Sequence, residues 1–233
     1  MKILVTGHKG FIGKYVYTHL KYDAGYGGLV KGLDFPADIG DFQGPDGMFA
    51  EHYDVIIHLA AFAALRDSIE NPEKFWENNV RLLYASSAGA HGWWQNPYAI
   101  TKKVNEVQAP PNSVGMRFFN VWAENNSRPD MLYRMLQENT AKYITRHRRD
   151  YIHVKDVARA ICYLIPSTFI GHLDIGTGES ISVLDLAKKM GRDLPIKENT
   201  PGEPDSLCAD TTALRELGWF PTINIMDQSN GNV

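Results

Sequence analysis

Residues near the middle of the chain could carry acid–base chemistry. Tyr98 and Lys102 are four positions apart in NPYAITKK, so a helix starting near Pro97 places them on one face, one turn apart. A free tyrosine is a poor base at neutral pH, but an ammonium group one turn away favours the phenolate. Ser86 and Ser87 end the preceding apolar run, RLLYASS, where a hydroxyl can share a substrate oxygen with Tyr98. This set predicts proton removal from a substrate hydroxyl.

A glycine-rich turn, GHKGFIG, lies near the start of the chain. Gly7, Gly10 and Gly13 follow an apolar run and open a helical pattern, where they let the backbone turn and approach a pyrophosphate at the helix N-terminus. Their Gly-x-x-Gly-x-x-Gly spacing differs from the commoner Gly-x-Gly-x-x-Gly, so by itself the turn also fits a plain strand-to-helix connection. Asp34 ends the second apolar run, where a carboxylate can bind an adenosine ribose. Together they predict a dinucleotide site.

The residues around this turn bear on the choice of dinucleotide. The Asp34 carboxylate would repel a 2′-phosphate, which favours NAD over NADP. His8 and Lys9 could instead attract such a phosphate, or they could belong to a solvated loop. We therefore expect NAD as the cofactor, with NADP as the less favoured alternative.

Apolar runs of strand length alternate with segments of helical period, which predicts a doubly wound, Rossmann-like parallel α/β sheet. The expected strands are 2–7, a second one ending at Asp34, 53–61, 81–87 and 114–121, and the first expected helix is 11–22. Beyond about residue 121 the pattern loosens and predicts a small C-terminal lobe. We expect an NAD-binding domain at 1–120, with 151–176 packed on it, and a substrate-binding lobe formed by 121–150 and 177–233.

Composition argues against several classes of function. A net charge of −3 and a pI near 6.2 lack the basic footprint of nucleic-acid binding. No apolar run reaches the roughly 20 residues of a membrane helix, and the chain enters a strand pattern directly, so we expect a cytoplasmic protein. Cys162, Cys208 and the eight histidines lack metal-ligand spacing, so no metal site is expected.

Ten segments, in order, resemble the extended short-chain dehydrogenases/reductases, specifically the NAD-dependent sugar-nucleotide epimerase/dehydratase family. They are VTGHKGFIG, GLD, DVIIHLAA, SIENPEKFWENNV, LLYASSA, NPYAITK, MRFFNV, RRDYIHVKDVARAI, DIGTGESISV and ADTTALRELGWFP. The resemblance implies an NAD that stays bound and a nucleotide-activated sugar as substrate.

The resemblance also implies roles for individual positions. Ser87 and Tyr98 would flank the reacting hydroxyl, and Lys102 would hold the nicotinamide ribose. Further cofactor contacts would come from Phe11, Ile12, Asp38, Ile39, Leu59, Ala60, Ala61 and Phe118, with Asp38 and Ile39 at the adenine. On the substrate side, Asn120 would lie near the phosphates, Arg149 would bind the diphosphate and Glu203 would lie at the nucleotide end.

The chain departs from the family pattern at several positions. Family dehydratases carry an Asp-Glu pair where this chain has Ala88 and Gly89, so epimerisation is favoured over dehydration. His91 replaces a tyrosine, and Thr200 replaces an arginine that contacts the diphosphate. The tryptophans at 93 and 94 would either stack on a sugar or base or fill space left by a shortened insert.

The helix that carries Lys102 meets Pro110 and Pro111 within about three turns, where proline ends it. In the family this helix contributes to a four-helix dimer interface. A homodimer is therefore compatible with the sequence, but the helices of the family interface are shortened.

The leading functional prediction is NAD-dependent epimerisation of a nucleotide sugar, most plausibly at C4, through a transient keto intermediate. An NAD(P)H-dependent reductase of a 4-keto nucleotide sugar is the first alternative. A non-catalytic NAD-binding module is the second, favoured by the compressed scaffold and opposed by Ser87, Tyr98 and Lys102.

Overall fold

A six-stranded parallel sheet forms the centre of the protein in a computed structural model, which describes residues 1–34, 53–59, 81–125, 127, 130–198 and 200–227. Its strands are β1 (Ile3–Thr6), β2 (Val30–Leu33), β3 (Val55–His58), β4 (Arg81–Ser87), β5 (Ser113–Phe118) and β8 (Gly171–Ile175). They lie in the order β2-β1-β3-β4-β5-β8. The predicted parallel α/β sheet is confirmed.

The strand order reverses beside β1. The chain leaves β1, adds β2 on one side and then returns to add β3 on the other side. Open α/β sheets bind ligands at such a switch point, outside the carboxyl ends of the strands. Gly7, Asp34, Leu59 and Ser87 end or directly follow four neighbouring strands at this edge.

The α-helices that the structure describes are short, between 5 and 12 residues long. They are α1 (Phe11–Thr18), α2 (Pro97–Gln108), α3 (Leu132–Gln137), α4 (Val154–Leu164), α5 (Val183–Lys189) and α6 (Thr212–Glu216). A π-helical turn at His19–Asp23 extends α1 close to its predicted end. Helix α2 begins at Pro97, as expected, and ends before Pro110 because proline cannot continue a helix.

The main core lies between the sheet and helices α1 and α4. Helix α4 buries Val154, Val157, Ile161 and Leu164, whose spacing forms one apolar stripe. This stripe packs with Val16 of α1 and the central strands in one continuous cluster. The hydrophobic burial fixes the first helix, and with it the turn from which that helix starts.

A second, smaller sheet follows residue 119. It contains β6 (Asn120–Trp122), β7 (Arg148–His153), β9 (Ser180–Ser182) and β10 (Ser206–Leu207), with β9 antiparallel to β7. The single strand predicted at 114–121 is wrong, because the chain passes from one sheet to the other at Phe119. The Phe119 N–H donates to the Ile175 carbonyl at 3.1 Å, and its buried side chain packs near Ala88 and Ala209. Asn120 is thereby placed in the second sheet.

A second core, around Trp122, Leu136, Leu186 and Ile225, accompanies this sheet. Trp219, which the sequence assigns to the C-terminal lobe, packs instead in the main core. The proposed domain boundaries stay a prediction. No helix among the described residues is long and apolar enough to cross a membrane.

The C-terminal segment is fastened to α4 by Asp156, whose side chain is fully buried. Its carboxylate accepts hydrogen bonds from the Thr222 N–H at 2.9 Å, the Thr222 hydroxyl at 2.8 Å and the Ile223 N–H at 2.9 Å. Arg159 donates to the same carboxylate at 2.5 Å. A buried charge is tolerated here because it is paired and hydrogen-bonded.

Candidate active site

The glycine turn forms a backbone cradle at the end of β1. Gly7 has φ +71°, a conformation that favours glycine, and its carbonyl accepts the Gly10 N–H at 3.0 Å. A Cβ atom at Gly13 would lie 1.9 Å from the Gly7 carbonyl oxygen, so only glycine fits there. Helix α1 starts after Gly10 without a side-chain cap, which leaves its first N–H groups, including those of Phe11 and Ile12, available to an anion. The cradle therefore fits a pyrophosphate.

Asp34 lies beside this turn, at the end of β2. Its carboxylate accepts a short hydrogen bond from the backbone N–H of Lys9, and the His8 ring nitrogen Nδ1 is 4.0 Å away. A Cβ at Gly32 would clash with the His8 ring, so the ring occupies space left by that glycine. Asp34 thus orders the turn in addition to the ribose role expected of it, and His8 is packed against the sheet.

Of the remaining residues predicted to contact the cofactor, the structure describes two. Leu59 and Phe118 are partly buried against the main core at the ends of β3 and β5. Asp38, Ile39, Ala60 and Ala61 lie outside the described residues. Their predicted roles stay predictions.

The two serines of β4 have different surroundings. Adjacent residues of a strand point to opposite faces. Ser86 is buried, and its hydroxyl donates to Glu106 Oε1 at 2.8 Å. Ser87, the last residue of the strand, accepts the Gly89 N–H at 3.2 Å and begins a 3-10 segment at Ala88–Gln95. Of the two hydroxyls, only that of Ser87 lies at the strand end where a substrate can approach.

Tyr98 and Lys102 lie on the first turns of α2. The Tyr98 side chain is 58% exposed, and the Lys102 ammonium is 5.7 Å from the centroid of its ring. The phenol is therefore both accessible and close to a positive charge. This is the juxtaposition that the four-residue spacing predicts.

Asn96 sets the start of this helix, a role that the sequence analysis missed. Its side-chain oxygen accepts the Ala99 N–H at 2.9 Å, and Pro97 occupies the first helical position. Its amide also donates to the Gly202 carbonyl at 3.0 Å. Asparagine before proline is a recognisable helix start, but its link to residue 202 has no sequence signal.

His58, at the end of β3, lies near the same helix. Its Nδ1 is hydrogen-bonded to the Thr6 hydroxyl at 2.7 Å. Burial, followed by the positive charge of Lys102, lowers the pKa of His58 to about 4. The His58 imidazole is therefore neutral at neutral pH and adds no second positive charge near Lys102.

A buried polar row anchors α2 to the sheet. Ser86, Arg117 and Asp174 are register partners on β4, β5 and β8. Glu106, which is buried, accepts from Arg117 Nε at 2.7 Å and Nη2 at 2.8 Å. At the far end of the row, His91 Nε2 lies 2.7 Å from Asp174 Oδ1. His91, which replaces the family tyrosine, is thus part of a network that fixes the helix bearing Tyr98.

Arg149 and Glu203, predicted to bind the substrate, are brought together by the second sheet. Arg149 is 11% exposed in its side chain, and its Nη2 lies 3.3 Å from Glu203 Oε2. Nη1 donates to the Pro204 carbonyl at 2.8 Å. Asn120 lies on the neighbouring strand, where its amide donates to the Asp150 carbonyl at 3.1 Å.

Asp150 is a fully buried acid next to Arg149 that the sequence analysis did not consider. Its carboxylate accepts the N–H groups of Thr177, Gly178 and Ala209 at 2.8, 2.9 and 3.2 Å. Burial raises the pKa of Asp150, and these hydrogen bonds oppose the rise. Asp150 holds the DIGTG turn against β7 and therefore has a structural task.

Trp93 and Trp94 lie in the 3-10 segment between Ser87 and Tyr98, with ring centroids 6.0 Å apart. They are 43% and 67% exposed, so they do not fill interior space as one alternative proposed. Stacking on a ligand stays open for them. Within the described parts of the chain, no group of three or more His, Cys, Asp and Glu residues could hold a metal ion.

Comparison with known proteins shows what this chain is similar to. Residues 3–85 match the family described as "NAD dependent epimerase/dehydratase family". Along nearly its whole length, the chain is 27% identical to UDP-glucose 4-epimerase 3 of Oryza sativa subsp. japonica, over 97% of this chain and 87% of the relative. It is also 27% identical to UDP-glucose 4-epimerase of Bacillus subtilis, over 94% of this chain and 92% of the relative.

The chain is therefore similar to the NAD dependent epimerase/dehydratase family, through the family model at residues 3–85 and through relatives that align along nearly the whole chain. The resemblance seen in the ten sequence segments is confirmed. The alignment with the Oryza relative spans 326 residues, whereas this chain has 233, so the alignment contains long gaps in this chain.

Solved structures support the family fold. The UDP-glucose 4-epimerase of Thermotoga maritima, solved with UDP-glucose, has a TM-score of 0.71 at 22% identity and covers 97% of this chain and 96% of its own. MoeE5 in complex with UDP-glucuronic acid and NAD has a TM-score of 0.72 at 22% identity, with the same coverage. At this level of identity the likeness shows the fold.

Proposed function

We propose that this protein epimerises a nucleotide-activated sugar at C4 with NAD as a bound cofactor. The observation that carries the proposal is that the glycine turn after β1 and Ser87 at the end of β4 lie at the carboxyl edge of one sheet, with Tyr98 and Lys102 one turn apart on helix α2, the next α-helix after β4. Similarity to UDP-glucose 4-epimerases along nearly the whole chain supports it.

The residues present fit a dinucleotide. Gly7, Gly10 and Gly13 would hold the pyrophosphate against the start of α1, in a turn whose backbone packs too closely at Gly13 for any side chain. Asp34 would bind the adenosine ribose and disfavour a 2′-phosphate, which supports NAD over NADP. When bound, NAD supplies a hydride acceptor that can later return the hydride.

The chain's own residues would move and hold the proton. Tyr98 Oη takes the proton of the C4 hydroxyl while the hydride leaves C4, and it returns the proton when the hydride comes back to the other face of the sugar. The Ser87 hydroxyl donates a hydrogen bond to the same oxygen. The Lys102 ammonium, 5.7 Å from the centroid of the Tyr98 ring, would hold the nicotinamide ribose. No net oxidation results.

The nucleotide part of the substrate would lie over the second sheet. Arg149 presents the charge that a diphosphate requires, and Asn120 lies on the adjacent strand. Glu203 would lie at the nucleotide end. In this proposal, the six-stranded sheet binds the cofactor and the second sheet binds the nucleotide part of the substrate.

Epimerisation is favoured over dehydration by the segment that follows Ser87. Ala88 and Gly89 stand where dehydratases of the family carry an acid pair, and Ala88 is buried. Expulsion of a C6 hydroxyl needs a general acid, which these side chains cannot provide.

Anomeric-proton NMR of UDP-glucose and UDP-galactose, followed by the corresponding GDP- and dTDP-sugars, tests the proposal. We expect interconversion of one C4 pair without added cofactor. A protein that binds NAD but converts none of these sugars would contradict it. Consumption of added NADH or NADPH with a 4-keto nucleotide sugar would instead indicate the reductase.

A further inference from the structure

His147 lies behind the guanidinium of Arg149, at the start of β7. It is 6% exposed and forms hydrogen bonds through both ring nitrogens. Arg149 Nη2 lies 2.7 Å from Nδ1, and the Thr200 hydroxyl oxygen lies 2.9 Å from Nε2. The sequence analysis noted the loss of an arginine at position 200 but gave His147 no role.

These contacts define the tautomer of the ring. A guanidinium has only donors, so Nδ1 must accept from Arg149 and cannot carry a proton. The ring proton therefore resides on Nε2, from which it is donated to Thr200 Oγ1. The three side chains form a directed chain from Arg149 through His147 to Thr200.

The geometry points to His147 as a positioning residue for Arg149, with Thr200 as its anchor, so that one oriented guanidinium binds the diphosphate of the substrate. This inference rests on the proposed function for the role of Arg149. In this chain the hydroxyl at position 200 orients the guanidinium through His147 and supplies no second positive charge.

Charged groups around the ring decide when this arrangement holds. Arg149, Glu203 and Asp205 face His147, and Glu203 Oε2 lies 3.4 Å from Nδ1. Burial, followed by the Arg149 charge, lowers the pKa of His147, and the two carboxylates oppose this shift. Protonation of Nδ1 would remove the acceptor of the hydrogen bond from Arg149, and the charged ring would repel the guanidinium. The ring would then form an ion pair with Glu203. Diphosphate binding should therefore weaken as the pH falls through the pKa of His147.

Two substitutions separate positioning from packing. His147→Phe keeps a ring but has no acceptor, and His147→Asn keeps an acceptor near the position of Nδ1 but cannot titrate. We expect His147→Phe to weaken UDP binding about tenfold at neutral pH, and His147→Asn to restore most of it. Arg146→Gln, which removes an exposed ion pair with Glu198 one residue away, is the matched control and should bind UDP like the unchanged protein.

Calorimetric titration with UDP at a series of pH values makes the test. Titration of the UDP phosphate is common to all variants and cancels in the ratio of their dissociation constants. We expect the dissociation constant of the unchanged protein, divided by that of His147→Asn, to rise as the pH falls through the pKa of His147. An equal affinity for UDP in the unchanged protein and a folded His147→Phe would overturn the inference.

Nitrogen-15 NMR of the histidine rings tests the same chain without any ligand. We expect His147 to be neutral at neutral pH, with its proton on Nε2. A proton on Nδ1, or a charged ring, would overturn the inference even if UDP binds. Failure of the unchanged protein to bind UDP or another nucleoside diphosphate would contradict the proposed function, and the NMR result would then decide about His147 alone.

Discussion

Tyr98 and Glu106 lie two turns apart on one helix but have opposite surroundings. Tyr98 is more than half exposed and can meet a substrate, whereas Glu106 is buried between Ser86 and Arg117. Burial raises the pKa of Glu106, but the hydrogen bonds from Arg117 and Ser86 and the charge of Arg117 outweigh it and lower the pKa to about 2. The Tyr98 phenol is therefore open to a ligand, whereas the Glu106 carboxylate stays ionised and paired inside the protein.

Tyr98→Phe should separate catalysis from binding. Loss of the phenol removes the proposed proton acceptor, so we expect the epimerisation rate to fall by roughly 10²–10⁴. The bound NAD, measured after release from the purified protein, should be unchanged. Equal activity of this variant and the unchanged protein would contradict the role of Tyr98.

Glu106→Gln should destabilise the fold, because it removes the buried carboxylate that accepts from Arg117 Nε and Nη2 and leaves the Arg117 charge with the more distant Asp174 carboxylate, 4.0 Å from Nη1. We expect a loss of about 3 kcal/mol in the free energy of unfolding, measured with urea. Glu138→Gln, at an exposed helical ion pair with Arg134, is the matched control and should cost less than about 0.5 kcal/mol.

The same residue predicts a pH dependence of stability. A glutamate has its ordinary pKa in the unfolded chain and a lower one here, so its contribution is complete above the unfolded value. That contribution is lost as the pH falls toward about 2. Acid unfolding of Glu106→Gln should lack this component, and an identical acid profile for both proteins would contradict the assignment.

At the scale of elements, the strand-to-helix turns position the chemistry. The turn after β1 depends on a close approach between Gly7 and Gly13, while the turn after β4 depends on the Ser87 cap. Both turns start at the same edge of the sheet. Their backbone geometry therefore places the glycine turn and the segment that leads to helix α2 on one side of the sheet.

Gly13→Ala and Gly10→Ala should differ in severity. A Cβ at Gly13 would lie 1.9 Å from the Gly7 carbonyl, but one at Gly10 would lie 3.1 Å from the same oxygen. We expect Gly13→Ala to abolish NAD retention and Gly10→Ala to weaken it. Gly28→Ala, where nothing lies within 4 Å, is the control and should retain NAD. Retention of NAD by Gly13→Ala would contradict the cradle.

Local patterns predicted the elements that carry the proposed catalytic residues. Strand β4 and the start of α2 fall where RLLYASS and Pro97 place them, because an apolar run and a proline at the first helical turn are local signals. The passage between sheets at Phe119 and the strand β7 were not predicted, since both depend on pairing with distant segments.

The same distinction applies to the site. The spacing of Tyr98 and Lys102 is a property of one helix and could be read from the sequence. The contacts of His147 with Thr200 and of Asn96 with Gly202 span 53 and 106 positions, so no local pattern reports them. Residues that position the chemistry were therefore harder to find than residues that perform it.

At the scale of the whole molecule, the C-terminal segment closes the structure. Residues near Trp219 pack into the main core, and Ile225 packs into the second core. Asp156 fastens the chain between them to α4. One buried carboxylate thus holds the segment that connects the two cores.

Asp156→Ala should lower the stability of the whole protein. It removes the fully buried carboxylate that accepts from the Thr222 and Ile223 N–H groups and from Arg159, so we expect a loss of about 3 kcal/mol in urea unfolding. Asp23→Ala, at an exposed pair with His19, is the control and should cost less than about 0.5 kcal/mol. Separate unfolding of the two cores in the Asp156 variant would show that this contact couples them, and unchanged stability would contradict its role.

The bond from Asn96 to Gly202 links helix α2, which carries Tyr98, to the segment whose Pro204 carbonyl accepts from Arg149. If the proposed function holds, Asn96 would connect the part of the site that binds the sugar with the part that binds the nucleotide. Binding energy from the nucleotide, far from the sugar, can therefore be used to hold Tyr98 in its working position. A sugar 1-phosphate, which lacks the nucleoside, should accordingly be turned over more slowly even at saturation.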